Sequence, residues 1–171
     1  CNTNVLEMVR ASGAMVVTQP GFIYWNGDQY LSNVEPEMLP HLYPVDSWHS
    51  AGVSVAFSSD APVIDPNPWP GIYAAVTGCT KSQVHFAKHQ ANSRKSEISV
   101  LEALRMYTLG GAYAEGTKQV KGSIQAGKMA DLILVDADPI LVNEENLKDI
   151  KTVLTMIGGT VVWERGSPQN N

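Results

Sequence analysis

The residue best suited by type and context to do chemistry is Asp60, in the run Ser58-Ser59-Asp60-Ala61-Pro62. It follows Val53-Ser54-Val55-Ala56-Phe57-Ser58, a short apolar run that suits a buried strand. A carboxylate just past the end of such a strand can bind a metal ion or take a proton from water that a metal has activated. Water at neutral pH is a poor nucleophile, and a metal lowers its pKa to about 7. The same carboxylate can instead serve the loop by accepting backbone N–H bonds. Gln19 ends an earlier apolar run and is a candidate for substrate contact on the same rim, or for a loop hydrogen bond. Phe22, Tyr24 and Trp25 follow it, and could line a pocket for an apolar group or pack their segment down.

The histidines are weaker candidates. His85 and His89 have the i, i+4 spacing that lets two imidazoles share a metal on a helix. Their segment is polar and no third ligand is near, so both read as surface residues; His41 and His49 fall in the loop and helix between the strands, and neither is assigned to a metal. There is no Gly-rich phosphate loop and no Gly-x-Ser-x-Gly elbow. Cys1 and Cys79 fit no metal spacing and read as free thiols of a reducing, cytoplasmic compartment.

These residues need elements to hold them. Val5–Arg10 has helical spacing, closed by Gly13. Ala14–Thr18 is a β-branched run expected to be buried on both faces. Residues 21–40 read as a long aromatic loop with a turn at Asn26-Gly27. Val45–Ala51 suits a short helix, and Asn67 with Pro68 opens another that runs to Thr77. Residues 79–97 read as a polar linker. Ser99 and Glu102 form a capping box for a helix to about Thr108, which Gly110-Gly111 should interrupt. Beyond about 115 the pattern becomes strand and turn: Ala130–Val135, a possible short helix at Glu144–Leu147, and a hairpin of Val153–Ile157 and Thr160–Trp163 around Gly158-Gly159.

Composition bounds the rest. The 171 residues are 44 % hydrophobic and 17 % charged, enough apolar material for a core. Twelve Lys and Arg against 17 Asp and Glu give a net charge of −5, with no basic stripe for nucleic acid. No apolar run is long enough to span a membrane. Cys1-Asn2-Thr3-Asn4 has neither a start Met nor a leader pattern, so the chain is expected to be part of a longer protein. The βα units of the first 115 residues cannot close a sheet alone. Apolar edges should stay open unless missing units or another copy of the chain, as in a homo-oligomer, cover them.

Taken together the motifs resemble the amidohydrolase superfamily, specifically the family 3 group that includes N-substituted formamide deformylase-like enzymes. Val17-Thr18-Gln19-Pro20 resembles its seventh barrel strand, and Val55–Val63, containing Ser-Ser-Asp-Ala-Pro, its eighth. Gly71–Thr77, Ser99–Thr108, Lys121-Gly122-Ser123-Ile124, Gly127-Lys128-Met129-Ala130-Asp131-Leu132 and Asp138-Pro139 follow in order. The resemblance implies an α/β fold: the last two βα units of a (β/α)8 TIM-type barrel in residues 1–115, and the C-terminal strands of a composite β-sandwich in 116–171. It implies a metal-dependent hydrolase acting on non-peptide C–N bonds of small amide-type substrates. Asp60 would be metal ligand and general base, and Gln19, Phe22, Tyr24 and Trp25 would contact substrate. The metal would be divalent, zinc in the intact enzyme, with its histidine ligands outside this chain. The chain alone is therefore expected to bind no catalytic metal and to be inactive. Thr108–Ala112, Lys118 and Gln119 depart from the family pattern, away from the presumed chemistry. The competing reading is a non-catalytic assembly or small-molecule-binding module that keeps the same fold.

Overall fold

The computed structural model describes residues 3–86 and 96–167. Val16–Thr18 (β1) and Val55–Phe57 (β2) pair in parallel, with Val16 opposite Val55 and Thr18 opposite Phe57. Helix α1 (Thr3–Ser12) leads into β1. Helix α2 (Gly21–Asn33), a 3-10 turn at Leu39–His41 and helix α3 (Val45–Ser50) connect β1 to β2. Helix α4 (Pro68–Thr77) follows β2, with Pro68 in its first turn and the Asn67 side chain accepting from Trp69 N at 3.2 Å. All of Trp69–Val76 is buried, so α4 is the axis of the core, as expected for a helix that is apolar all round. Around it lie Val55 and Phe57 of β2, Ile23 of α2, and Phe86, Ile98 and Ala103.

Helix α2 replaces the loop expected over 21–40. Its local signals are poor, because Pro20 offers no side-chain cap and Asn26-Gly27 resembles a turn. Tertiary contact decides instead: Ile23, Tyr24 and Gly27 are buried, and a Cβ on Gly27 would sit 2.6 Å from Thr80 Cγ2. The glycine is there for close packing, and the packing stabilises a helix that propensity alone would not. A second correction concerns β1. It is not buried on both faces, since Val17 is 53 % exposed while Thr18 is buried. The linker expected over 79–97 is also anchored where it is described: Thr80 and Phe86 are each at most 2 % exposed, and the Thr80 hydroxyl donates to Asp28 Oδ1 at 2.6 Å.

The capping box forms as expected. Ser99 Oγ accepts from Glu102 N at 3.2 Å, and Glu102 Oε2 accepts from Ser99 N at 2.8 Å. The Ser99 hydroxyl, donating to Glu102 Oε2 at 2.6 Å, and then the Ser99 N–H hold the Glu102 carboxyl below the usual range, with His49 adding less. Helix α5 (Val100–Arg105) then continues through a π-helical turn, Met106–Gly110, into α6 (Gly111–Ala114). The two glycines do not interrupt it. Gly110 is required because a Cβ would lie 2.8 Å from Val55 O and 3.3 Å from Ala56 Cα, so the π turn rides directly on β2. From the same turn Tyr107 packs edge-on against Phe57 at 5.3 Å.

The remainder is an antiparallel sheet in the order β3 (Leu132–Val135), β4 (Thr152–Ile157), β5 (Thr160–Glu164). Gly158 and Gly159 both take positive φ, 56° and 83°, as a tight hairpin turn needs. Lys128 Nζ donates to Ser123 Oγ and to the carbonyls of Lys118 and Lys121, and Asp131 Oδ1 accepts from Gly158 N. The Gly127–Leu132 motif is thus a device for fixing the turn-rich segment and the hairpin. A 3-10 turn at Glu144–Asp149 returns this part to the core, burying Leu147 completely against the α4 side. By contrast Ile133, Leu134, Ile157, Val161, Val162 and Trp163 are 39–58 % exposed. No helix among the described residues is long and apolar enough to cross a membrane.

Candidate functional site

Parallel pairing brings the ends of β1 and β2 to one rim. Ser58 N donates to Thr18 O at 3.0 Å, which sets Gln19 beside Ser58. The Gln19 side chain then donates from Nε2 to Ser58 Oγ, also at 3.0 Å. This is the loop hydrogen bond that the sequence left open for Gln19. Its partner Ser58 was quotable as part of a motif but not as a functional position, because only the strand register reveals the pairing.

Asp60 stands two residues beyond that bond, with its side chain exposed. Its backbone is left-handed, φ 56°, a conformation Asp tolerates better than most residues. Holding a non-glycine residue there costs roughly 1–2 kcal/mol. Tyr43 and Gln83 also have positive φ, so conformation by itself does not single Asp60 out. What does is its lack of structural employment. The loop is capped by others: Ser59 Oγ accepts from Ala61 N at 3.3 Å, and Asp65 Oδ1 accepts from Asn67 N at 2.8 Å. Asp60 contributes its carbonyl, which accepts from Val63 N at 2.9 Å. Among the described residues its carboxylate accepts no hydrogen bond.

The start of α2 forms the adjoining wall. A Cβ on Gly21 would meet Ile64 Cδ1 at 2.6 Å, so this glycine lets α2 approach the Asp60 loop. An open groove between them is lined by Trp25, Asn26, Val63, Ile64 and Asp65. The helix splits the aromatic candidates. Trp25 lines the groove. Tyr24, expected to face substrate, is instead 9 % exposed and packs edge-on against Tyr73 at 5.8 Å, because residues one apart on a helix face different ways. Burial also pushes the Tyr24 hydroxyl above its ordinary pKa. Phe22 is half-buried, with its ring edge-on to Tyr43 at 5.8 Å. Val63 closes the family-like run Val55–Val63 without being read as a site residue, and Ile64 lies just outside that run.

The histidines lie elsewhere. His49 Nε2 is 3.0 Å from Glu102 Oε1, outside the rim. His41 ends a 3-10 turn and is exposed. His85 pairs through its backbone with Cys79, and its ring lies against Gly78. His89 and Cys1 fall outside the described residues. Among the described residues, no three His, Cys, Asp or Glu side chains converge as a metal site. Among the described residues this rim offers two carboxylates, Asp60 and Asp65, the second already accepting from Asn67 N, whereas a catalytic zinc takes about three protein ligands. These residues do not make a metal site by themselves.

Residues 2–163 match the model of the amidohydrolase family. The chain is 31 % identical to the N-substituted formamide deformylase of Arthrobacter pascens over 90 % of its own length and 27 % of that enzyme's. Its fold superposes on a metal-dependent hydrolase from Pyrococcus horikoshii with a TM-score of 0.69 at 26 % identity, covering 84 % of this chain and 28 % of that one. An adenosine deaminase from Xanthomonas campestris with bound zinc gives the same TM-score at 22 % identity, covering all of this chain and 37 % of the deaminase. The chain therefore spans 27–37 % of the length of these proteins.

Proposed function

The chain belongs to the amidohydrolase family, and from that premise we propose that it is the C-terminal part of a metal-dependent hydrolase cleaving non-peptide C–N bonds in small amide-type molecules. The observation that carries this is Asp60: an exposed carboxylate, held in left-handed backbone past the end of β2, with its loop capped by other side chains. In this reading β1 and β2 are the last two strands of a (β/α)8 barrel, whose active site forms at the C-terminal ends of its strands. Residues 1–115 belong to that barrel, and residues 116–171 are the C-terminal share of a small composite β-sandwich. The open apolar side chains of β3–β5 and the exposed Val17 are surface that the rest of the enzyme, or a second copy of the chain, covers.

A divalent metal, zinc by analogy with the deaminase neighbour, would be held by Asp60 together with residues beyond this chain. When bound it supplies Lewis-acid activation of water at neutral pH. The work of this chain is proton handling and positioning. The Asp60 carboxylate takes a proton as the water oxygen bonds to the amide carbon. It returns that proton to the nitrogen as the C–N bond breaks, leaving an acid and an amine. The Gln19–Ser58 bond fixes the strand end from which Asp60 projects. Trp25 bounds the substrate space, whereas Phe22 is turned to Tyr43 and supports the helix behind it.

The test is formate release. The 171 residues joined to a complete barrel are expected to liberate formate and amine from N-substituted formamides, and to lose that activity on chelation. If no amide or amine in a broad panel loses its C–N bond, the reading fails.

A further inference from the structure

We infer that the groove beside Asp60 receives the apolar substituent on the substrate's leaving nitrogen, with Trp25 and Val63 as its specificity-determining residues. This rests on Asp60 being the proton carrier. If Asp60 hands a proton to the leaving nitrogen, that nitrogen sits next to its carboxylate, and what the nitrogen bears has one space to enter among the described residues that adjoin the Asp60 loop. That space is the groove of Trp25, Asn26, Val63, Ile64 and Asp65. Its near end is fixed to Asp60 itself, since Val63 N donates to Asp60 O at 2.9 Å.

Trp25, Val63 and Ile64 give the groove an apolar wall that suits a flat or branched group, with Asn26 and Asp65 as its polar positions. Val63 is 63 % exposed, a large aliphatic side chain presented to solvent beside the Trp25 ring. The indole is held from two sides and still lines the groove. Tyr24 meets it edge-on at 5.0 Å, and Lys81 Nζ lies 4.6 Å from its centroid. Lys81 is itself anchored, its N–H donating to Tyr24 O at 2.9 Å. Thus the buried Tyr24 acts as a backing for Trp25. A pre-set aromatic wall discriminates by size, and apolar pockets separate substrates differing by a methylene about 10–200-fold.

The experiment compares kcat/KM for N-phenylethylformamide and N-methylformamide in the full-length enzyme. The larger substituent is expected to be preferred, with the ratio falling about tenfold or more in Trp25→Ala and in Val63→Asn. Val63 is a surface residue, so its variant decides the matter even if Trp25→Ala folds poorly. A ratio unmoved by both substitutions overturns the inference while leaving hydrolase function intact. So does a change that appears only when the acyl side is varied at constant amine. Absence of turnover on every formamide overturns this inference together with the function it rests on.

Discussion

Asp60→Asn in the full-length enzyme is expected to lower kcat by about 10²–10⁴-fold, the range that a positioned general base contributes. The substitution suits the site. Asn matches Asp in size and also tolerates the left-handed φ of 56°, so the backbone has no reason to move. The carboxylate accepts no hydrogen bond among the described residues, and Ser59 and Asp65 do the capping. The loop therefore loses nothing structural. On the proposed reading, what is lost is the capacity to take a proton. Thermal stability should stay within about 0.5 kcal/mol of the parent, as for an ordinary surface substitution. Steady-state kinetics and a thermal melt on the same preparation check both halves. A kcat within a few-fold of the parent would remove Asp60 from the chemistry.

Leu147→Ala should produce the largest stability loss of a conservative kind. Leu147 is 0 % exposed and lies in the 3-10 turn that docks on α4, the apolar axis of the core. Truncating a buried leucine costs about 2–5 kcal/mol through lost burial and the cavity left behind. For a chain of this size that corresponds to a fall in Tm on the order of 5–15 °C. The neighbouring Lys148 lies over the Tyr73 ring, Nζ 4.9 Å from its centroid, and that contact should loosen with it. A change in Tm of under about 1 °C would mean that the C-terminal third is not anchored through this turn.

Local signals were legible in the sequence wherever they were self-contained. Asn67-Pro68, the Ser99–Glu102 box and Gly158-Gly159 each satisfy or shape their own backbone, and each forms as read. Signals that depend on distant partners were misread. Asn26-Gly27 looked like a turn, because nothing local reveals that Gly27 must clear Thr80. Gly110 looked like a break, because nothing local reveals Val55 O beneath it. The site divides the same way. Asp60 is proposed from its motif, which is local. The separation of Trp25 from Tyr24 needed α2 to be known as a helix. The Gln19–Ser58 bond needed the β1–β2 register, and the groove needed Gly21 against Ile64.

Asp60 is held to be one donor of a site whose other donors lie beyond these residues, and zinc stoichiometry tests that most directly. The purified 171-residue chain, equilibrated with zinc and then desalted, should retain far less than one zinc per chain by elemental analysis and release no formate from an N-substituted formamide. Stoichiometric zinc with turnover by this chain alone would contradict it.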